Sequence, residues 1–150
     1  MRQELDKLLC EKYPKMMVNR NKNMQETCMC WGFECGDGWF NILNQLMSNI
    51  QHHIDWNNQN FEKGYKQYKQ VTQVTLDQVK EKFGTLRFYY TGGDDEISGM
   101  VRMAESMSGV TCEECGNPGE TKGQGWVVTL CETHRNAREE RQLIKQGFEQ

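Results

Sequence analysis

The sequence has no apolar run approaching eighteen residues and a mean hydropathy of −0.83, so no segment is suited to cross a bilayer as a helix. An excess of positive charge is also missing. Lys and Arg number 18 against 21 Asp and Glu, and a formal net charge of −3 disfavours nucleic acid as a partner. The opening residues, MRQELDKLL, are charged throughout and lack the apolar stretch of an export signal, which predicts a cytoplasmic protein. No internal repeat is visible. No Gly-rich loop follows a strand to cradle phosphates, and no basic pocket converges, which argues against a nucleotide-binding role.

What is present can fill a core. Four tryptophans, six phenylalanines and 37% hydrophobic residues in 150 predict one small α+β domain, 1–150. Seven cysteines are an odd number for a disulfide framework. Without an export signal, they read better as reduced thiols and metal ligands.

The most specific pattern lies near the C-terminus. Cys112 and Cys115 form CxxC, fifteen residues follow, and Cys131 and His134 form CxxH. Each pair converges on one side of its local backbone, so a knuckle and a helical turn can together surround one tetrahedral zinc ion. Gly116 gives the knuckle the backbone freedom it needs after its second cysteine. A strand leading directly into CxxH at a helix start predicts a treble-clef-like submodule over about 110–147. Four protein ligands leave no position for water, so the zinc is expected to be structural and the protein not to be an enzyme. Residue patterns support that expectation. Neither His52 nor His53 has Glu two positions on, and Cys112 follows Thr rather than Pro, so the zinc deaminase signature is absent. An HNH-type nuclease needs a catalytic histidine, and His134 is already used as a ligand.

Elsewhere the pattern predicts a short N-terminal helix carrying Leu5, Leu8 and Leu9 and ended by Pro14. A long helix is expected from Trp39 to Ile54, with Asp37 as its cap. Residues 55–70, rich in Asn, Gln, Lys and Tyr, read as a solvated loop. Val74–Val79 and Leu86–Tyr90 read as an antiparallel hairpin turning at Lys82, Phe83 and Gly84. Gly92 and Gly93 end it, Asp94, Asp95 and Glu96 open a helix with an apolar stripe from Ile97 to Met107, and a strand is expected over Trp126–Leu130.

Cys28, Cys30 and Cys35 form a second cluster, which His52 or His53 could complete as a metal site; the alternative is ordinary core thiols. Between Thr91 and Cys131 seven acidic residues face two basic ones. Asp94, Asp95, Glu96, Glu113 and Glu114 could engage a basic partner surface, and Tyr65 and Tyr68 suit a protein interface. Arg135, Arg138, Arg141 and Lys145 on the last helix are the candidate phosphate contacts of a nucleic-acid reading.

The strings ECGDGW (34–39), VKEKFGTLRFYY (79–90), MVRMAESMS (100–108), TCEECG (111–116) and GWVVTLCETH (125–134) together resemble small uncharacterised phage and prophage proteins. That resemblance implies a zinc protein working in the cytoplasm of a bacterial host; the group brings no agreed activity. Small acidic phage proteins without an active site often block a host machine. The expectation is an inhibitor of a bacterial defence system, an anti-CRISPR protein acting on a type II CRISPR effector nuclease being the leading case. The alternative is a zinc-finger accessory of phage replication or transcription.

Overall fold

The computed structural model describes residues 1–148; the expected 1–150 domain also includes Glu149 and Gln150, which lie outside the described residues. Helix α1 spans Gln3–Lys12, buries Leu9, and ends just before Pro14. A looping segment follows, held by buried Met16, Met17 and Met29, and leads into strand β1, Phe33–Glu34. Helix α2 runs Phe40–Glu62, strands β2 and β3 cover Thr75–Lys82 and Thr85–Thr91, and α3 covers Asp95–Ser108. Strands β4, Glu120–Lys122, and β5, Val128–Leu130, precede α4, Glu132–Phe148. Among the described residues no helix is long and apolar enough to cross a membrane.

One face of the sheet β1-β2-β3 carries Phe33, Leu76, Val79, Leu86 and Phe88 against Leu43, Met47, Ile50 and Ile54 of α2 and Ile97, Val101 and Ala104 of α3. Periodicity explains this, because alternate strand residues and every third or fourth helical residue share a face. The expected β2–β3 hairpin forms with a two-residue turn in which Phe83 and Gly84 both have positive φ, 53° and 81°. The sheet is not purely antiparallel, however: β1 pairs parallel with β2, matching Phe33 to Val79 and Glu34 to Lys80. The free edge of β3 is covered by α3. Ser108 Oγ accepts from the Leu86 amide at 2.8 Å, and Glu105 Oε1 accepts from the Phe88 amide at 3.0 Å. Side chains thus fill the ladder positions a further strand would take.

Three expectations need correction. Helix α2 does not stop at Ile54 but continues to Glu62, about 35 Å in all, so the supposed loop from 55 begins as two further helical turns. In those turns Asn57 Nδ2 donates to the His53 carbonyl and Asn60 Nδ2 to that of Trp56, each at 2.8 Å. Asn58 then grips Val71, accepting from its amide at 2.7 Å and donating to its carbonyl at 3.0 Å. Asp37 does not cap α2. Its carboxylate accepts from the Arg2 amide at 2.7 Å and pairs with the Arg2 guanidinium at 2.9 Å. The last strand begins at Val128 and leaves Trp126 in the preceding loop.

Candidate metal centre

Residues 111–116 form a tight loop because the Cys112 carbonyl accepts from the Gly116 amide at 2.9 Å, with Gly116 at φ 80°. Strand β5 brings Cys131 to the position just ahead of α4, where its carbonyl accepts the Arg135 amide at 3.0 Å. His134 then lies on the first turn of that helix. The ligand atoms of Cys112, Cys115, Cys131 and His134 all lie within 4.8 Å of one another. Cys115 Sγ is 3.8 Å from Cys131 Sγ, and His134 Nδ1 is 3.6 Å from Cys112 Sγ and 3.2 Å from Cys131 Sγ. Four ligand atoms brought together in this way, with no disulfide between the thiols, are consistent with a single metal site.

The electrostatics suit a cation. Burial disfavours the Cys112 thiolate, yet the amides of Cys131, Cys115 and Glu114 point at its sulfur and bring the thiol down to about 7 from an ordinary 9.0. The Asn117 amide favours the Cys115 thiolate, but burial and the neighbouring sulfurs outweigh it, so the Cys115 thiol is raised. One thiolate therefore opposes the next, and a metal dication relieves that repulsion.

The centre is tied to the main body at several points. Trp39 Nε1 donates to the Thr111 carbonyl at 2.9 Å, and Thr129 Oγ1 donates to the Gly84 carbonyl at 2.5 Å. Glu113 accepts the Gly36 amide on Oε1 at 2.9 Å and the Gly38 amide on its carbonyl at 2.7 Å. Burial pushes the Glu113 carboxyl up, with the Gly36 hydrogen bond opposing it. Cys112, Val128 and Leu130 form a small apolar cluster of their own beneath the knuckle.

The other candidate residues are scattered. Asp94 caps α3, accepting from the Ile97 amide at 3.0 Å, and its other oxygen meets His53 Nε2 at 2.7 Å. Asp95 and Glu96 are exposed at that same end, whereas Glu113 and Glu114 follow the far end of α3, about 20 Å of helix away. Tyr65 is exposed, and Tyr68 packs edge-on against Trp56. Arg135 donates to the carbonyls of Glu120 and Leu130, while Arg138, Arg141 and Lys145 surround an open hollow with Glu114 and Gln142. Among the described residues, Cys28, Cys30 and Cys35 are not gathered into a metal-holding group with either His52 or His53. Cys35 is buried, Cys28 is exposed, and Cys30 donates to the Thr27 carbonyl at 3.2 Å.

Sequence reasoning missed Glu113 as a fastener and the Trp39–Thr111 bond. Both join residues more than seventy positions apart, and the only local hint was Gly on either side of Asp37. Compared with protein-family models, curated proteins and solved structures, the chain matches none of them.

Proposed function

We propose that the four-ligand cluster holds one zinc ion as the structural centre of a treble-clef-like module, and that the protein acts by stoichiometric binding to a bacterial defence protein. The observation that carries this reading is the closure of the centre by four side chains of the chain itself. Zinc bonds of about 2.3 Å to sulfur and about 2.0–2.1 Å to imidazole place tetrahedral sulfurs about 3.8 Å apart and sulfur–nitrogen pairs about 3.6 Å apart. The Cys115–Cys131 and Cys112–His134 separations agree with those values, and Cys131–His134 is shorter. A knuckle, a hairpin, and a second ligand pair split between the residue before α4 and its first turn support the treble-clef-like description. With every position taken, the ion activates no water and the fold's use is recognition.

The target class rests on analogy with small acidic phage proteins that block a host machine, since the resembling group itself brings no agreed activity. A type II CRISPR effector nuclease is the first to test. Asp95, Glu96 and Glu114 are exposed and available to a basic surface of such a protein. Metal analysis should find one zinc per chain, and expression in defence-active cells should restore phage plating, with Cys112→Ser losing both. No rescue of plating, together with no defence component co-purifying, refutes the target. Steeply salt-dependent binding through Arg138, Arg141 and Lys145 would instead favour the nucleic-acid accessory reading.

A further inference from the structure

The face of the β1-β2-β3 sheet turned away from α2 and α3 carries an unusual set of residues. Alternation places Gln78, Lys80 and Lys82 of β2 and Thr85, Arg87 and Tyr89 of β3 on it, since Val79 and Phe88 point into the core. Lys80 stands directly opposite Arg87, and Lys82 opposite Thr85. Like charges directly opposite on neighbouring strands destabilise a sheet. Among the described residues, no carboxylate lies within ion-pair distance of Lys80, Lys82 or Arg87. Glu34, beside Lys80 on β1, is the one acid in that row. At the far end Asp77 is hydrogen-bonded to Thr91, and residues 24–28 flank Tyr89 and Gln78.

Rings accompany these cations. Tyr89 is 44% exposed, and Phe83, at the hairpin tip, is 69% exposed with the Lys82 ammonium 5.4 Å from its ring centre. Phe83 also has φ 53°, a conformation in which a bulky side chain is an outlier, at a turn position that ordinarily takes Asn or Asp before Gly. The chain therefore presents an apolar ring to water at a place where both backbone and solvent disfavour it. Trp126, 72% exposed, belongs to the neighbouring hairpin tip, whose Val127 lies beside Gly84. Such strain, offset in part by the Lys82 ammonium beside the ring, points to a site of use.

We propose that this outer sheet face binds a single strand of nucleic acid, with Lys80, Lys82 and Arg87 on its phosphates and Tyr89 and Phe83 stacked on its bases. Charge complementarity selects a polyanion, and exposed rings select unpaired bases over a duplex, whose bases offer no free faces. The face is distinct from the cations of α4 and from the acidic residues assigned to a defence target. Oligonucleotide binding, its primary test, does not depend on phage plating.

The probe is a fluorescently labelled twenty-nucleotide oligo-dT or oligo-U, titrated by anisotropy with the zinc-loaded full chain. Three phosphate contacts give a slope of log affinity against log salt of about −2, at about 0.7 per contact for single strands. Lys80→Gln with Arg87→Gln should flatten that slope to about −0.7, the share of one remaining contact. Phe83→Asn should weaken binding about tenfold, the loss of one stacked base, while melting at the same temperature or higher because Asn suits the turn. Four outcomes overturn the proposal: no binding of either oligonucleotide in 50 mM salt; equal binding of duplex; binding unchanged in Phe83→Asn; or binding abolished by Arg138→Gln with Arg141→Gln instead. Loss of defence inhibition in Phe83→Asn without any oligonucleotide binding by the wild type would assign the face to a protein, and also overturns it.

Discussion

The carbonyl oxygen of Glu113 accepts the Gly38 amide at 2.7 Å, fastening the loop that carries two metal ligands to the approach of the longest helix. A β-carbon on Gly38 would stand 2.1 Å from the Cys112 carbonyl oxygen and 2.6 Å from the Gly116 nitrogen. Both are backbone atoms and cannot swing aside. Gly38→Ala should therefore cost about 1–3 kcal/mol, as overpacking does. In calorimetry the melting temperature should fall by several degrees, and a chelator should strip the metal faster. An unaltered melting curve and stripping rate would show that loop and helix do not touch in solution.

Cys131→Ser should reduce the metal content from one ion per chain to none. Structural zinc contributes about 10–16 kcal/mol of apparent folding free energy in finger peptides, so the C-terminal module should loosen. The main core contains none of the four ligands, and helical circular dichroism from α2 and α3 should largely persist. Trp39 reports the change, because its Nε1 bond to the Thr111 carbonyl ends where the knuckle begins. A shift of tryptophan emission accompanying zinc loss is the expected signature; full zinc binding by the serine variant would contradict the ligand assignment.

Acid should weaken the contact between α2 and α3 through Asp94. Burial raises its carboxyl, but hydrogen bonds from His53 and the Ile97 amide outweigh burial and hold it below the ordinary value. A carboxyl lowered in the folded state contributes stability that is fully present above its unfolded value, about 3.9, and is lost as pH falls through the folded one. Asp94→Asn keeps an acceptor for the cap but no charge to protonate. Melting temperatures measured from pH 6 down to pH 3 should fall less steeply for this variant, whereas Asp94→Ala should cost about 1 kcal/mol at neutral pH. Parallel curves for wild type and Asp94→Asn would remove Asp94 from the account.

Thiol reactivity should sort the seven cysteines. Burial lifts the Cys35 thiol to about 12, and burial together with the Asp6 charge lifts Cys10 to about 11. Iodoacetamide at pH 8 should therefore modify exposed Cys28 first and leave Cys35 and Cys10 untouched. Cys115 is also exposed, and although its thiol is raised, a bound metal should protect it far more strongly. Mass spectrometry before and after chelation should find Cys112, Cys115 and Cys131 reactive only afterwards. Alkylation of Cys115 at the rate of Cys28 in zinc-loaded protein would count against coordination.

Patterns with a short range were legible in the sequence. The CxxC and CxxH pairs, the hairpin around Phe83 and Gly84, and the helix opened at Asp94, Asp95 and Glu96 each depend on residues a few positions apart, and the structure places them as expected. The last third of α2 was not legible, because its asparagine-rich composition otherwise marks loops; in the structure Asn57 and Asn60 bond back four residues along the helix and Asn58 reaches out to Val71. Asp37 has the residue type and position of a helix cap, yet Arg2, thirty-five residues earlier, takes its carboxylate. Strand β1 is two residues long and carries no alternation to detect. The same limit hid Glu113, whose acidic side chain reads as solvated until Gly36 and Gly38 are brought against it.

The grip of Asn58 on both backbone groups of Val71 pins together the two ends of residues 59–70, the end of α2 and the turns after it. Within that segment Gly64 has nothing within 4 Å of where a side chain would start. An epitope or fluorophore-bearing insert placed there would ride outside the protein with its stem clamped, giving a handle for immobilisation that leaves the sheet, the hairpin tips and the thiol cluster undisturbed.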